Sequence, residues 1–124
     1  MAVSADDQEI PDSEVLYRRI APVWVEPDPI SGERRLTSAA FQNQQGHEAF
    51  SVHRSTLINP ENVVAPFPGY GVVCFTAGEA RSLGQGVTPE PTIDDPSHAH
   101  VIGRKTGGVK NKFRSIAIWI VDIR

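Results

Sequence analysis

The chain has very little cysteine. Cys74 is the single one in 124 residues, which excludes an internal disulfide and any multi-cysteine zinc knuckle. It fits a reducing compartment. No apolar run approaches the ~20 residues that span a bilayer. The first residues, Met1 to Glu9, are acidic where a signal peptide would be basic, so the expected location is the cytoplasm. No repeat or low-complexity tract is visible. A net charge of −3 offers no bulk drive toward nucleic acid or membrane. There is no Gly-x-Ser-x-Gly nucleophile elbow. The loop Gly103-Arg104-Lys105-Thr106-Gly107-Gly108 sets Lys-Thr ahead of its glycine pair, which is not the Walker order.

What is present describes a fold class. Ten glycines and ten prolines demand many turns and argue against a helical bundle. The length suits one domain with a real core. Residues 1–13 read as an acidic flexible segment and 14–124 as the domain. Val15 to Ile20 begins order, and Pro22 keeps Ala21 to Val25 extended. Phe50, Val52 and Arg54 alternate onto one face of a strand. Asn59 and Pro60 start a short helix. Gly71 to Phe75 reads as a buried strand. Thr76 and Glu79 have capping-box spacing for the helix that Gly84 closes. Ala99 to Gly103 forms another short strand. Val109, Phe113 and Ile116 recur at helical spacing. The run from Ile116 to Val121 is β-branched on both faces, as expected of a central strand. Short strands mixed with short helices give a single compact α+β domain with a small mixed or antiparallel sheet. The expected core is Val52, Val72, Val73, Phe75, Val101, Phe113, Ile118 and Ile120.

The charge is uneven. Residues 1–14 hold five acids and no base, whereas 103–124 hold six bases against Asp122. Arg104, Lys105 and Lys110 are the candidate anion-binding residues, on a basic loop whose amides precede a helix. Cys74 sits in an apolar run, where a thiol is ordinarily a small unactivated core group.

The densest chemistry lies between Asp94 and Gly103. His98 and His100 are two apart, so a strand would point both to one face. With Asp95 they could supply an N,N,O metal set, or a proton relay. His53 and Arg19 complete the candidate pocket if their strands reach the same face.

Tyr17-Arg18-Arg19 on a first strand, followed by Thr37-Ser38 and Ser51 to Ser55, resembles the opening of ADP-ribosyltransferase-like folds. In those folds an early Arg or His holds the NAD diphosphate. The resemblance implies that role for Arg18 or Arg19, and a ribose-holding role for Ser38. The family's late glutamate has no counterpart, since Glu79 falls in a helix and Glu90 between prolines.

The functional expectation is a small binding or interaction module, an accessory of a larger system. It would meet an anionic partner or phosphate through 103–114, with no cofactor and no membrane. A protein partner fits that expectation, and nucleic acid has no motif behind it. The alternative is a small enzyme with a His/Asp/Arg pocket, metal-dependent or handling NAD or ADP-ribose.

Overall fold

The structure is a computed structural model that describes residues 6–123. Six strands form one sheet: β1 (Val15–Ile20), β4 (Ala49–Arg54), β5 (Gly71–Thr76), β6 (Gly86–Pro89), β7 (His98–Ile102) and β8 (Ile118–Val121). Their order is β6-β7-β4-β1-β5-β8, and every pairing is antiparallel. β2 (Val25–Pro27) and β3 (Arg34–Leu36) make a separate small ribbon. Three helices complete the fold: α1 (Pro60–Val64), α2 (Ala77–Ser82) and α3 (Gly107–Ile116). It is the α+β domain that the composition predicts.

Local chemistry starts the helices where expected. Asn59 accepts from the Asn62 amide, and Thr76 and Glu79 close a reciprocal capping box. Thr106 caps α3 by accepting from the Val109 amide. On one face of the sheet, Leu16, Ile20, Phe50, Val52, Val73, Phe75, Val87, Ala99 and Val101 are buried. Phe41, from a 3₁₀ turn at Ser38–Phe41, and Phe113 of α3 close over them, their rings stacked at 5.4 Å. Phe50 and Phe75 meet Phe113 at 5.4 and 5.1 Å, so four aromatic rings form the centre of this layer.

The opposite face is covered unequally. α1 packs beside β1 and β5 there, with Val63 fully buried. Over the half built from β4 and β7, the loop between β6 and β7 reaches the face, where Glu90 meets His98 and Asp95 meets His53.

Three expectations need correction. The acidic lead-in does not stand apart from the domain: Ile10 is fully buried, Asp6 accepts from Arg81 and from the Val87 amide, and Asp12 pairs with Arg81. Buried Glu14 receives both arms of Arg54 and the hydroxyl of Thr56. Residues 1–5 of that lead-in lie outside the described residues. The β-branched β8 is an edge strand, because β5 is its sole neighbour in the sheet. Ile118 and Ile120 are consequently exposed, at 65% and 43%, and not core. Ala21 to Val25 is not extended throughout, since Pro22–Trp24 forms a 3₁₀ turn, with Pro22 suited to its first position. The other six expected core residues are buried. Among the described residues no helix is long and apolar enough to cross a membrane.

β8 docks where β5 has no side chain. A Cβ at Gly71 would lie 2.7 Å from the Val121 carbonyl oxygen and 2.8 Å from the Trp119 ring. Gly71→Ala should therefore push β8 off its partner and cost about 1–3 kcal/mol. Urea unfolding of the variant beside the unchanged protein measures it, and Gly107→Ala, whose Cβ meets nothing within 4 Å, is the control.

Candidate functional site

The polar half-face is a product of strand alternation. Phe50 and Val52 turn into the core, so Ser51 and His53 turn away from it. Ala99 and Val101 turn in, so His98 and His100 turn out. The β4–β7 register then sets His53 opposite His98 and Ser51 opposite His100. On β1, Tyr17 is opposite His53, and continuing that register brings Arg19 level with Ser51. His53, His98, His100 and Arg19 thus share one face, and Asp95 reaches it from the preceding loop.

Two histidines on this face are oriented by bonds through Nδ1. His98 Nδ1 lies 2.8 Å from the Glu90 carbonyl oxygen. A carbonyl only accepts, so in neutral His98 the proton sits on Nδ1 and Nε2 keeps its lone pair. That Nε2 is 2.9 Å from Ser51 Oγ, so the hydroxyl donates to it. The side-chain amide of Gln44 approaches the same oxygen at 3.4 Å. His53 Nδ1 lies 3.1 Å from Asp95 Oδ2. The other Asp95 oxygen accepts from the Ser97 hydroxyl at 2.5 Å and its amide at 3.1 Å, which fixes the carboxylate plane. The rings of His53 and His98 are 6.0 Å apart, and those of His98 and His100 are 5.0 Å apart.

Burial sets the charge states. His53 is pulled down to about 4, chiefly by desolvation, against which the Asp95 charge acts upward. It is neutral at pH 7, donates through Nδ1 and keeps Nε2 as an acceptor. His100 is lowered by burial and by the neighbouring His98. For Asp95, burial pushes upward, but the Ser97 bonds and adjacent histidines prevail, leaving it below the ordinary carboxylate range. Arg19 donates from Nε to the Val63 carbonyl at 2.8 Å and lies 4.0 Å over the Phe67 ring. Burial lowers it, with Asp95 acting in the opposite direction.

The metal set fares differently. Asp95 engages His53 and Ser97, not His98 and His100, and among the described residues no group of three or more His, Cys, Asp or Glu is placed to hold a metal ion. The basic segment is also not one surface. Lys105 turns inward and donates to the Val101 and Gly103 carbonyls at 3.2 and 2.7 Å. Arg104 is exposed, Lys110 lies half-buried on α3, and Arg114 donates to the Leu36 carbonyl. Arg18 points into the core layer, away from Arg19, while Ser38 opens the 3₁₀ turn whose Ala40 carbonyl Arg18 engages. Cys74 is half-buried beside Tyr17, its thiol pushed up by burial and by Glu79.

Ser51, Ser97 and the Glu90 carbonyl are the site groups that sequence reasoning missed. Ser51-x-His53 alternating with Phe50-x-Val52 is the signal that could have found Ser51. It becomes a site only once β7 is known to lie beside β4.

The chain matches no protein family, no curated protein and no solved structure. Its chemistry is therefore read from its own geometry.

His53 makes stability depend on pH. Its folded pKa is depressed, so between about 6.5 and about 4 the unfolded chain takes up a proton that the folded one does not. The contribution is full above that window and lost as pH falls through it, by about 3 kcal/mol. Asn at this position keeps a donor toward Asp95 and does not titrate. His53→Asn should flatten this part of the curve in chemical unfolding between pH 7 and pH 4, and an unchanged slope contradicts the assignment.

Proposed function

We propose that the chain is a small hydrolytic enzyme working on the open polar face, with Ser51 as nucleophile and His98 as its base. The observation that carries this reading is the relay from the Glu90 carbonyl through His98 to Ser51. A hydroxyl, a base within hydrogen-bond reach and a third group orienting that base are the parts nucleophilic catalysis needs.

The proposed chemistry is ester hydrolysis. Ser51 Oγ attacks the carbonyl carbon as its proton passes to His98 Nε2. The Glu90 carbonyl holds the Nδ1 proton and stabilises the imidazolium. The proton then goes to the departing alkoxide, leaving an acyl-serine. Water attacks that ester with His98 again taking the proton, and Ser51 is regenerated. Gln44 supplies an amide donor beside the reacting oxygen. Arg19 adds positive charge to the same face, which favours substrates bearing a carboxylate or phosphate. Asp95 and His53 add a second neutral base in the adjacent row.

A fluorophosphonate probe tests the nucleophile. Mass spectrometry should find the adduct on Ser51. His98→Ala should slow labelling about 10²–10⁴-fold, the ordinary worth of a positioned base, while Ser51→Ala abolishes it. Circular dichroism of each variant establishes that it is folded. Folded protein left unlabelled at Ser51, or labelled equally fast without His98, overturns the proposal.

A further inference from the structure

The two edges of the sheet are finished differently. Outside β6, the strap of residues before β1 takes the place of a further strand. The Asp7 amide donates to the Val87 carbonyl at 2.9 Å, and Asp6 accepts from the Val87 amide at 2.9 Å. Pro89 ends that strand with no N–H to offer. β8, at the other edge, has no such cover. β5 is its sole neighbour, and among the described residues the backbone of Ile118 to Val121 has no partner outside that pairing. Arg34 reaches the chain only beyond the strand, at Asp122 and the Ile123 carbonyl.

An uncovered edge presents a row of amides and carbonyls ready to pair with another strand. Lysine and proline, two residues that ordinarily blunt such an edge, are absent from Ile118-Trp119-Ile120-Val121. The exposed side chains of Ile118 and Ile120 stand beside that open backbone. Charge along the strand indicates which strand fits. Before β8, α3 carries Lys110, Lys112 and Arg114 and no acid. After it stands Asp122, which shares a cleft with Glu61, Tyr70 and Ile120. The start of β8 is therefore basic and its end acidic. A second β8 running antiparallel brings a basic start to an acidic end, twice over, with apolar residues between. A parallel copy would set like charges together.

We infer that the chain forms a twofold dimer in which β8 pairs antiparallel with β8 of a second copy, joining the two six-stranded sheets into one. The interface is isologous, so one partner closes it. The strap over β6 shuts the other edge, and the assembly stops at two. The inference uses none of the groups around Ser51 and His98, and it does not rest on the hydrolytic reading.

Sedimentation equilibrium across a concentration series tests this, with hydrogen exchange read on the same samples. A reversible monomer–dimer equilibrium is expected. The amides between Ile118 and Val121 that point away from β5 should gain protection as the dimer forms. Ile118→Lys sets like charges near the twofold axis, and its side chain lies outside the core, so the fold is kept. It should raise the dissociation constant at least about tenfold. Ile93→Lys, at an isoleucine 99% exposed on the loop between β6 and β7, should leave that constant unchanged. Three results overturn the inference. They are a monomer up to the limit of solubility, which would leave β8 to a strand of another protein, oligomers larger than two, and a dimer as tight in Ile118→Lys as in the unchanged protein.

Discussion

The antiparallel pairing of β4 with β7 is the constraint on which the rest depends. It joins Phe50 to Val101 and Val52 to Ala99 on the core side, and Ser51 to His100 and His53 to His98 on the other. The two sets are inseparable, since strand side chains alternate with period two. A slip of one residue would drive histidines among the phenylalanines and expose the aromatic cluster. The hydrophobic effect on one face therefore holds the polar register on the other. The contact between Ser51 and His98 is positioned by the packing of Phe50 and Val101.

Charge is divided by the same sheet. Two arginines with carboxylate partners, Arg54 and Arg81, tie the residues before β1 to the body. Near the two faces of the sheet the cations lean on carbonyls and rings instead. Arg19 uses Val63 and Phe67, whereas Arg18 uses Ala40, Ser51, Phe50 and Trp24. Neighbours in sequence, these two arginines take opposite sides because β1 alternates like any strand. Arg18 also grips the carbonyl of Ser51 from behind, so the core-side cation steadies the backbone under the open face.

Local signals were legible in the sequence, and long-range ones were not. Thr76 with Glu79, and Asn59 with Pro60, act within one turn, so their residue types alone disclose the helix starts. His98 and His100 sharing a face follows from spacing of two. Ser51 as the partner of His98 needs the β4–β7 register, which joins residues 47 apart. Ile118 and Ile120 mislead because a β-branched run reports a preference for strand, not the number of strands beside it. Lys105 misleads for another reason: a basic glycine loop looks solvated unless the direction of the Val101 and Gly103 carbonyls is known. Position and residue type do not encode that direction.

The strap before β1 has a consequence for the order of assembly. Asp6 bonds to Arg81 and Val87, 75 and 81 residues further along, and Ile10 fills the core between. These contacts close some of the longest loops in the fold, and loop closure carries an entropic cost before it returns any contact energy. On a ribosome the strap emerges before the sheet, yet its docking surface exists only after β6 has been made. The strap therefore docks only after residues made later have built the surface that receives it.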